Sequence, residues 1–215
     1  MFTPLAHTIN DNLFLLSPNR TMFWRNEQIL VLSDTHFGKT AHFRKAGIAI
    51  PTNILETDLQ KLSHDINYFN PKQIIIVGDL FHSVANAENI IFAAWRNKFE
   101  NIPFVLVQGN HDVLAKIWYT NANIAVVKDV LVIKNFSFVH DVKEPLKDTY
   151  TFCGHIHPGI TLKGKGKQSI TLPCFYFKNN YAILPAFGYF TGLMVQKIKK
   201  NECAFAIANG EVVAV

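Results

Sequence analysis

The stretch Gln28-Ile29-Leu30-Val31-Leu32-Ser33-Asp34-Thr35-His36-Phe37-Gly38-Lys39 decides the fold. Its first part is an apolar run without alternation, the pattern of a strand buried on both faces. Its second part is a polar loop with a glycine, which starts where the run stops. In α/β sheets the chemistry sits in such loops, at the carboxyl ends of strands. The arrangement returns twice: Gln73–Val77 runs into Gly78-Asp79-Leu80-Phe81-His82, and Phe104–Val107 runs into Gln108-Gly109-Asn110-His111-Asp112.

Helical patterns separate these strands. Between Asn53 and about Phe69, the residues Leu55, Leu59, Leu62, Ile66 and Phe69 make one apolar stripe. Asn53 with Glu56 predicts a capping box, and Asn70-Pro71 predicts the stop. His64 and Asp65 fall off the stripe and are expected in solvent. Ala87–Glu100 reads as a second helix, with Phe92, Trp95 and Phe99 on one face. Strand, helix, strand, helix, strand predicts a parallel sheet with crossover helices.

Upstream, Asn12–Leu16 and Thr21–Trp24 read as a hairpin around Ser17-Pro18-Asn19-Arg20. Downstream, short β-type runs follow one another: Ile124–Val127, Val130–Lys134, Phe136–Val139, Thr149–Cys153, Ile170–Phe177, Tyr181–Leu184, Leu193–Ile198 and Ala204–Ala208. Their turns predict antiparallel strands and hairpins, and Pro158 is expected to stop regular pairing. Two sheets packed face to face with helices outside would bury both halves in one core. Residues 1–215 are expected to form a single domain.

Composition narrows the class. With 49% hydrophobic residues, the chain is globular and not disordered. No apolar run approaches the roughly 18–20 residues of a membrane helix, and Met1-Phe2-Thr3-Pro4 does not begin a secretory signal. The three cysteines (Cys153, Cys174, Cys203) are odd in number and form no Cys-x-x-Cys pair. They fit buried thiols in a reducing cytoplasm better than a disulfide frame or zinc knuckle. A net charge of +5 is compatible with polyanionic partners and does not require them.

Five apolar runs end in residues that can ligate metal: Asp34 and His36, then Asp79, then Asn110 and His111, then His140, then His155 and His157. Any one of these has an ordinary alternative, such as a loop cap, an Asx-turn or a satisfied core histidine. Their joint recurrence does not. Imidazole mixed with carboxylate or amide oxygen suits Mn, Fe, Co, Ni and Zn. The candidates are too many for one ion, whereas two ions sharing a bridging carboxylate would use them all.

Asp34-x-His36, Gly78-Asp79, Gly109-Asn110-His111-Asp112, His140 and Gly154-His155-x-His157 resemble, in order, the motif series of calcineurin-like metallophosphoesterases. The resemblance implies a four-layer α/β/β/α sandwich of two mixed sheets with flanking helices. It implies one ion on Asp34, His36, Asp79 and His157 and a second on Asp79, Asn110, His140 and His155. Manganese comes first, with iron, zinc, cobalt or nickel as alternatives. It gives His111 the departing oxygen or the phosphate, with Asp112 orienting it. Val139 departs from the glycine that many members carry before the histidine.

The flanks resemble a narrower branch. Ser33-Asp34-Thr35-His36-Phe37-Gly38-Lys39, the segment from Ala41 to Ile48, Gly78-Asp79-Leu80-Phe81-His82-Ser83 and the late run from Leu184 to Gly192 are similar to the bacterial ligase-associated DNA-damage-response endonucleases. That branch is related to nuclease subunits of the Mre11 and SbcD type. It implies a DNA phosphodiester substrate and DNA-repair ligase or helicase partners; the cysteines point to a cytoplasmic location, and the lack of a long apolar run to no membrane contact. Lys39, Arg44 and His82 are the candidate substrate-binding residues, and Lys163-Gly164-Lys165-Gly166-Lys167 is either a nucleic-acid contact or a plain hairpin tip. Three other readings stay open: a small-molecule phosphoesterase acting on nucleotides or phospholipid precursors, a phosphomonoesterase, and a non-catalytic partner-binding module.

Overall fold

The computed structural model describes residues 2–39, 47, 51, 53–82, 87–166, 168–189 and 191–215. Among them, seven strands form one sheet in the order β1-β2-β3-β4-β5-β6-β7. The strands are β1 (Leu5–Ile9), β2 (Asn12–Leu16), β3 (Met22–Trp24), β4 (Ile29–Ser33), β5 (Gln73–Val77), β6 (Phe104–Val107) and β7 (Ile124–Val127). β1 to β4 are antiparallel neighbours, and β4 to β7 are parallel. The crossovers are the helices α1 (Ile54–Phe69) and α2 (Ala87–Arg96), with a short helix α3 (Lys116–Asn121) before β7.

The second sheet contains β8 (Leu131–Ile133), β9 (Phe136–Val139), β10 (Tyr150–Cys153), β11 (Pro158–Lys163), β12 (Ser169–Phe177), β13 (Tyr181–Ile183) and β14 (Met194–Val195). β15 (Cys203–Ala208) and β16 (Glu211–Ala214) extend it from β12. Both sheets are mixed; in the second, β9, β10 and β13 run parallel where hairpins were expected. Ile124–Val127, grouped with the later strands by sequence, instead closes the parallel edge of the first sheet. Pro158 does not end pairing; it opens β11, since a first strand residue need not donate to the ladder.

Alternation sets the layers. In β4, Ile29 and Val31 face the second sheet while Leu30 and Leu32 face the helices. In β12, Phe175 and Phe177 face the first sheet, and Cys174 and Tyr176 face away. One core therefore lies between the sheets, crowded with Phe14, Trp24, Phe136, Phe138 and Phe152. A second lies under the helices. The expected fourth layer, helices on the outer face of the second sheet, is not found among the described residues. Apolar residues of connecting segments, including Val142, Leu146, Ile156 and Ile198, pack on that face instead. The three cysteines are free thiols, two of them buried. No helix among the described residues is long and apolar enough to cross a membrane.

Two local expectations for α1 fail. Asn53 makes no side-chain cap; its carbonyl accepts the Thr57 amide and hydroxyl. Asp65 is fully buried. Its carboxylate accepts from Ser17 Oγ at 2.7 Å, Thr21 Oγ1 at 2.5 Å and Asn19 Nδ2 at 2.6 Å, tying α1 to the β2–β3 turn. The helix does stop at Asn70, which is left-handed at φ 46°. Replacing Asp65 with alanine leaves buried donors unpaired, so Asp65→Ala is expected to destabilise the fold by about 3 kcal/mol. A thermal melt should then fall by roughly 6–12 °C; a shift below about 2 °C would refute this role.

Candidate metal centre

The parallel strands β4, β5 and β6 end side by side, so the loops after them converge. Those loops hold one another by backbone bonds. The Asp34 amide donates to the Gly78 carbonyl at 3.1 Å, that of His36 to Asp79 at 2.9 Å, and that of Phe37 to Leu80 at 3.0 Å. The second sheet delivers His140 after β9 and Gly154-His155-Ile156-His157 after β10 to the same place. Gly154 donates to the His140 carbonyl, and the His155 amide donates to the Asp34 carboxylate at 3.0 Å. The segment after β13 completes the seam, with Phe187 donating to the Ser33 carbonyl and Gly188 to that of Asp34.

Two clusters result. The ligand atoms of Asp34, His36 and His157 lie within 4.8 Å of one another, and so do those of Asp79, His140 and His155. Asp79 reaches both: its Oδ2 is 3.7 Å from His36 Nε2 and 3.4 Å from His140 Nε2. Asn110 Oδ1 stands 2.9 Å from His140 Nε2 and joins the second cluster. The residues named from sequence as ligands are thus brought together.

Backbone conformation is part of the construction. Asp34, His36, Asp79, His155 and His157 all have positive φ, between 46° and 65°. Each such residue is held in a sparsely populated region by its surroundings, as functional sites often require. Nothing in residue type announces this. Close approach also explains two glycines. A Cβ on Gly78, itself at φ 76°, would run into the His140 ring, and one on Gly154 would meet the Asp34 carboxylate and the Val77 carbonyl.

Electrostatics favour cations. Burial lowers the pKa of His36 to about 3, against the pull of Asp79, so the ring is neutral with a lone pair to offer. Burial pushes the Asp79 carboxyl up, but the His140 hydrogen bond and charge, the His111 amide and His36 together bring it down to about 2. Burial lowers His140, yet Asp79 and Asp34 leave it raised overall. His36 Nε2 and His157 Nε2 face each other at 3.2 Å, and His155 Nδ1 faces His140 Nε2 at 3.2 Å. Facing imidazole nitrogens beside buried carboxylates are a donor set that fits divalent metal.

The other predicted residues fall around this centre. His111 donates its amide to Asp79 Oδ1 at 2.9 Å, and its ring Nδ1 lies 3.1 Å from the His82 carbonyl. The His82 ring stacks on that of His111 with centroids 5.0 Å apart. Lys39 lies in the field of Asp79, and burial lowers its ammonium. Arg44 lies outside the described residues. The Asp112 carboxylate accepts the amides of Asp79 and Gly109, each at 2.8 Å, and of Leu80 at 2.9 Å. It therefore bears on His111 through Asp79 and the shared backbone. Burial raises its pKa to about 6, with the Gly109 amide opposing and the Asp79 charge adding. Sequence reading missed Glu88, whose Oε2 accepts the Gly38 amide at 2.8 Å and braces the first metal loop. An acid in the first turn of a helix gives no such signal.

Asp112→Asn turns an amide NH₂ toward a backbone N–H. It is expected to destabilise the chain by about 2 kcal/mol, read as a lower denaturant midpoint at unchanged slope. Stability equal to wild type would contradict the carboxylate's role as an acceptor of several backbone amides.

The comparisons agree with this geometry. Residues 28–177 match the calcineurin-like phosphoesterase family, a span that includes both clusters. The chain belongs to that family. It is a metallophosphoesterase, with two His/Asp ligand clusters. The phosphoesterase is similar in structure to the nuclease MPE of Pseudomonas putida, at 27% identity, 100% coverage of both chains and a TM-score of 0.83. Yfce, a phosphoesterase from E. coli, aligns over 86% of this chain and 96% of its own, at 10% identity and a TM-score of 0.46. No curated protein matches the phosphoesterase.

Proposed function

We propose that this phosphoesterase hydrolyses phosphodiester bonds of DNA at a binuclear metal centre, in the manner of a repair nuclease. The observation that carries the reading is Asp79, whose one carboxylate oxygen lies against both ligand clusters. A nuclease 27% identical over its full length supports the choice of DNA. The narrower resemblance to ligase-associated endonucleases supports a place beside DNA-repair ligase or helicase proteins. The chain would act as a single domain.

Asp34, His36, His157 and Asp79 would hold one divalent ion, and Asp79, Asn110, His140 and His155 the other, manganese being the first candidate. Bound there, the ions supply Lewis acidity and activate water. The chain's own residues do the rest. With its proton on Nδ1, the His111 ring donates to the His82 carbonyl, which would leave Nε2 for the substrate. Protonated at Nε2, it would give that proton to the departing oxygen, and the proton released by the attacking water would restore the ring, so water and a diester become a monoester and an alcohol. Stacking by His82 fixes the plane of that ring. Lys39 and Arg44 would take non-bridging phosphate oxygens.

The test is hydrolysis of an aryl phosphodiester and of plasmid DNA with Mn²⁺, with and without chelator, with mononucleotide as competitor. DNA turnover that stops in chelator and is little affected by mononucleotide is expected. Turnover in chelator, or mononucleotide displacing DNA at equal concentration, would contradict the reading.

A further inference from the structure

Positive charge is unevenly placed along the chain. Seven of the 21 lysines and arginines fall between Thr149 and Asn201, and none of the 16 aspartates and glutamates does. This segment therefore holds the whole positive excess of the protein. It is also the segment that leaves the metal centre. β11 begins at Pro158, immediately after His157, and pairs with β12 as a hairpin whose tip is Gly164-Lys165-Gly166.

The two faces of this hairpin differ. Ile160 and Leu172, which are cross-strand partners, pack in the outer apolar cluster. Thr161 and Thr171, the next pair, turn to the other face, where their hydroxyls meet at 2.9 Å. Lys163 pairs with Ser169 in the same phase, and Lys163 and Lys165 are exposed. β14 flanks β11, and beyond it Ile198 turns into the apolar cluster while Lys197 and Lys199 beside it are exposed. Glu202, just past the segment, accepts the Lys199 amide at 2.9 Å, so the charge without an acid beside it in sequence is that of the hairpin, whose hydroxyls and ammonium groups are the side chains that contact nucleic-acid phosphates.

We propose that the β11–β12 hairpin is a backbone-binding arm for the polynucleotide on one side of the scissile bond. It rests on the reading of the enzyme as a DNA phosphodiesterase. Six strand residues extend about 20 Å from His157. That length corresponds to about six phosphates of one B-form strand. The arm reads no bases; it holds the backbone and selects polymers over short esters.

The experiment is fluorescence anisotropy with a labelled 20-base-pair DNA, in chelator, across a series of salt concentrations. The double variant Lys163→Gln, Lys165→Gln is expected to bind about tenfold more weakly at 0.15 M salt. Its log affinity against log salt should be shallower by about 1.8, about 0.9 for each lost contact. The pair Lys72→Gln, Lys98→Gln, on exposed positions of the helical side, should keep the wild-type slope. Equal slopes for the hairpin variant and wild type would overturn the proposal, as would an equal change in the helical-side pair. Aryl diester turnover of the unaltered protein in Mn²⁺ is read separately. Its absence would sink the proposed activity without touching the binding result.

Discussion

Asp79→Asn is expected to lower phosphodiester turnover by about 10³-fold or more and to release metal. One oxygen of this carboxylate lies against His36 and His140, and the other accepts the His111 amide. An asparagine cannot satisfy both sides. With its oxygen on the His111 side, its NH₂ group faces the clusters; reversed, the NH₂ faces an N–H. The bridging negative charge is lost in either case. Metal content after dialysis and initial rates in Mn²⁺ check the two effects together. Two retained equivalents with full turnover would refute the bridging role.

His111→Ala should separate rate from metal. The ring contributes no atom to either cluster, so two equivalents should remain bound. Loss of a positioned proton donor is worth about 10²–10⁴-fold. The loss should depend on the leaving group. An aryl oxide departs readily without a proton, whereas the sugar oxygen of DNA does not. The variant is therefore expected to lose about tenfold on the aryl diester and about 10³-fold on DNA. Equal losses on both substrates would argue against proton donation, and loss of metal would argue for a ligand role.

The parts of the molecule legible in the sequence are those fixed by local pattern. β4, β5 and β6 are buried on both faces, so they read as unbroken apolar runs, and the ligands stand where those runs stop. The α1 stripe was equally plain. What escaped was set by partners far along the chain. Asp65 looks like any exposed helical acid until Ser17, Asn19 and Thr21 close over it. β9, β10 and β13 have the composition of hairpin strands; only their shared neighbours make them parallel. β11 was hidden because a leading proline resembles a stop. In the centre, residue types named the ligands, but the left-handed backbone at five of them depends on loops meeting across both sheets, and the amides gathered by Asp112 depend on the loops after β5 and β6 meeting.

The most direct measurement is anomalous diffraction at the manganese edge from a crystal soaked in Mn²⁺. Two peaks are predicted. One lies among Asp34, His36 and His157, the other among Asn110, His140 and His155, and the Asp79 carboxylate touches both. A single peak, or two peaks without Asp79 between them, would contradict a binuclear phosphodiesterase centre.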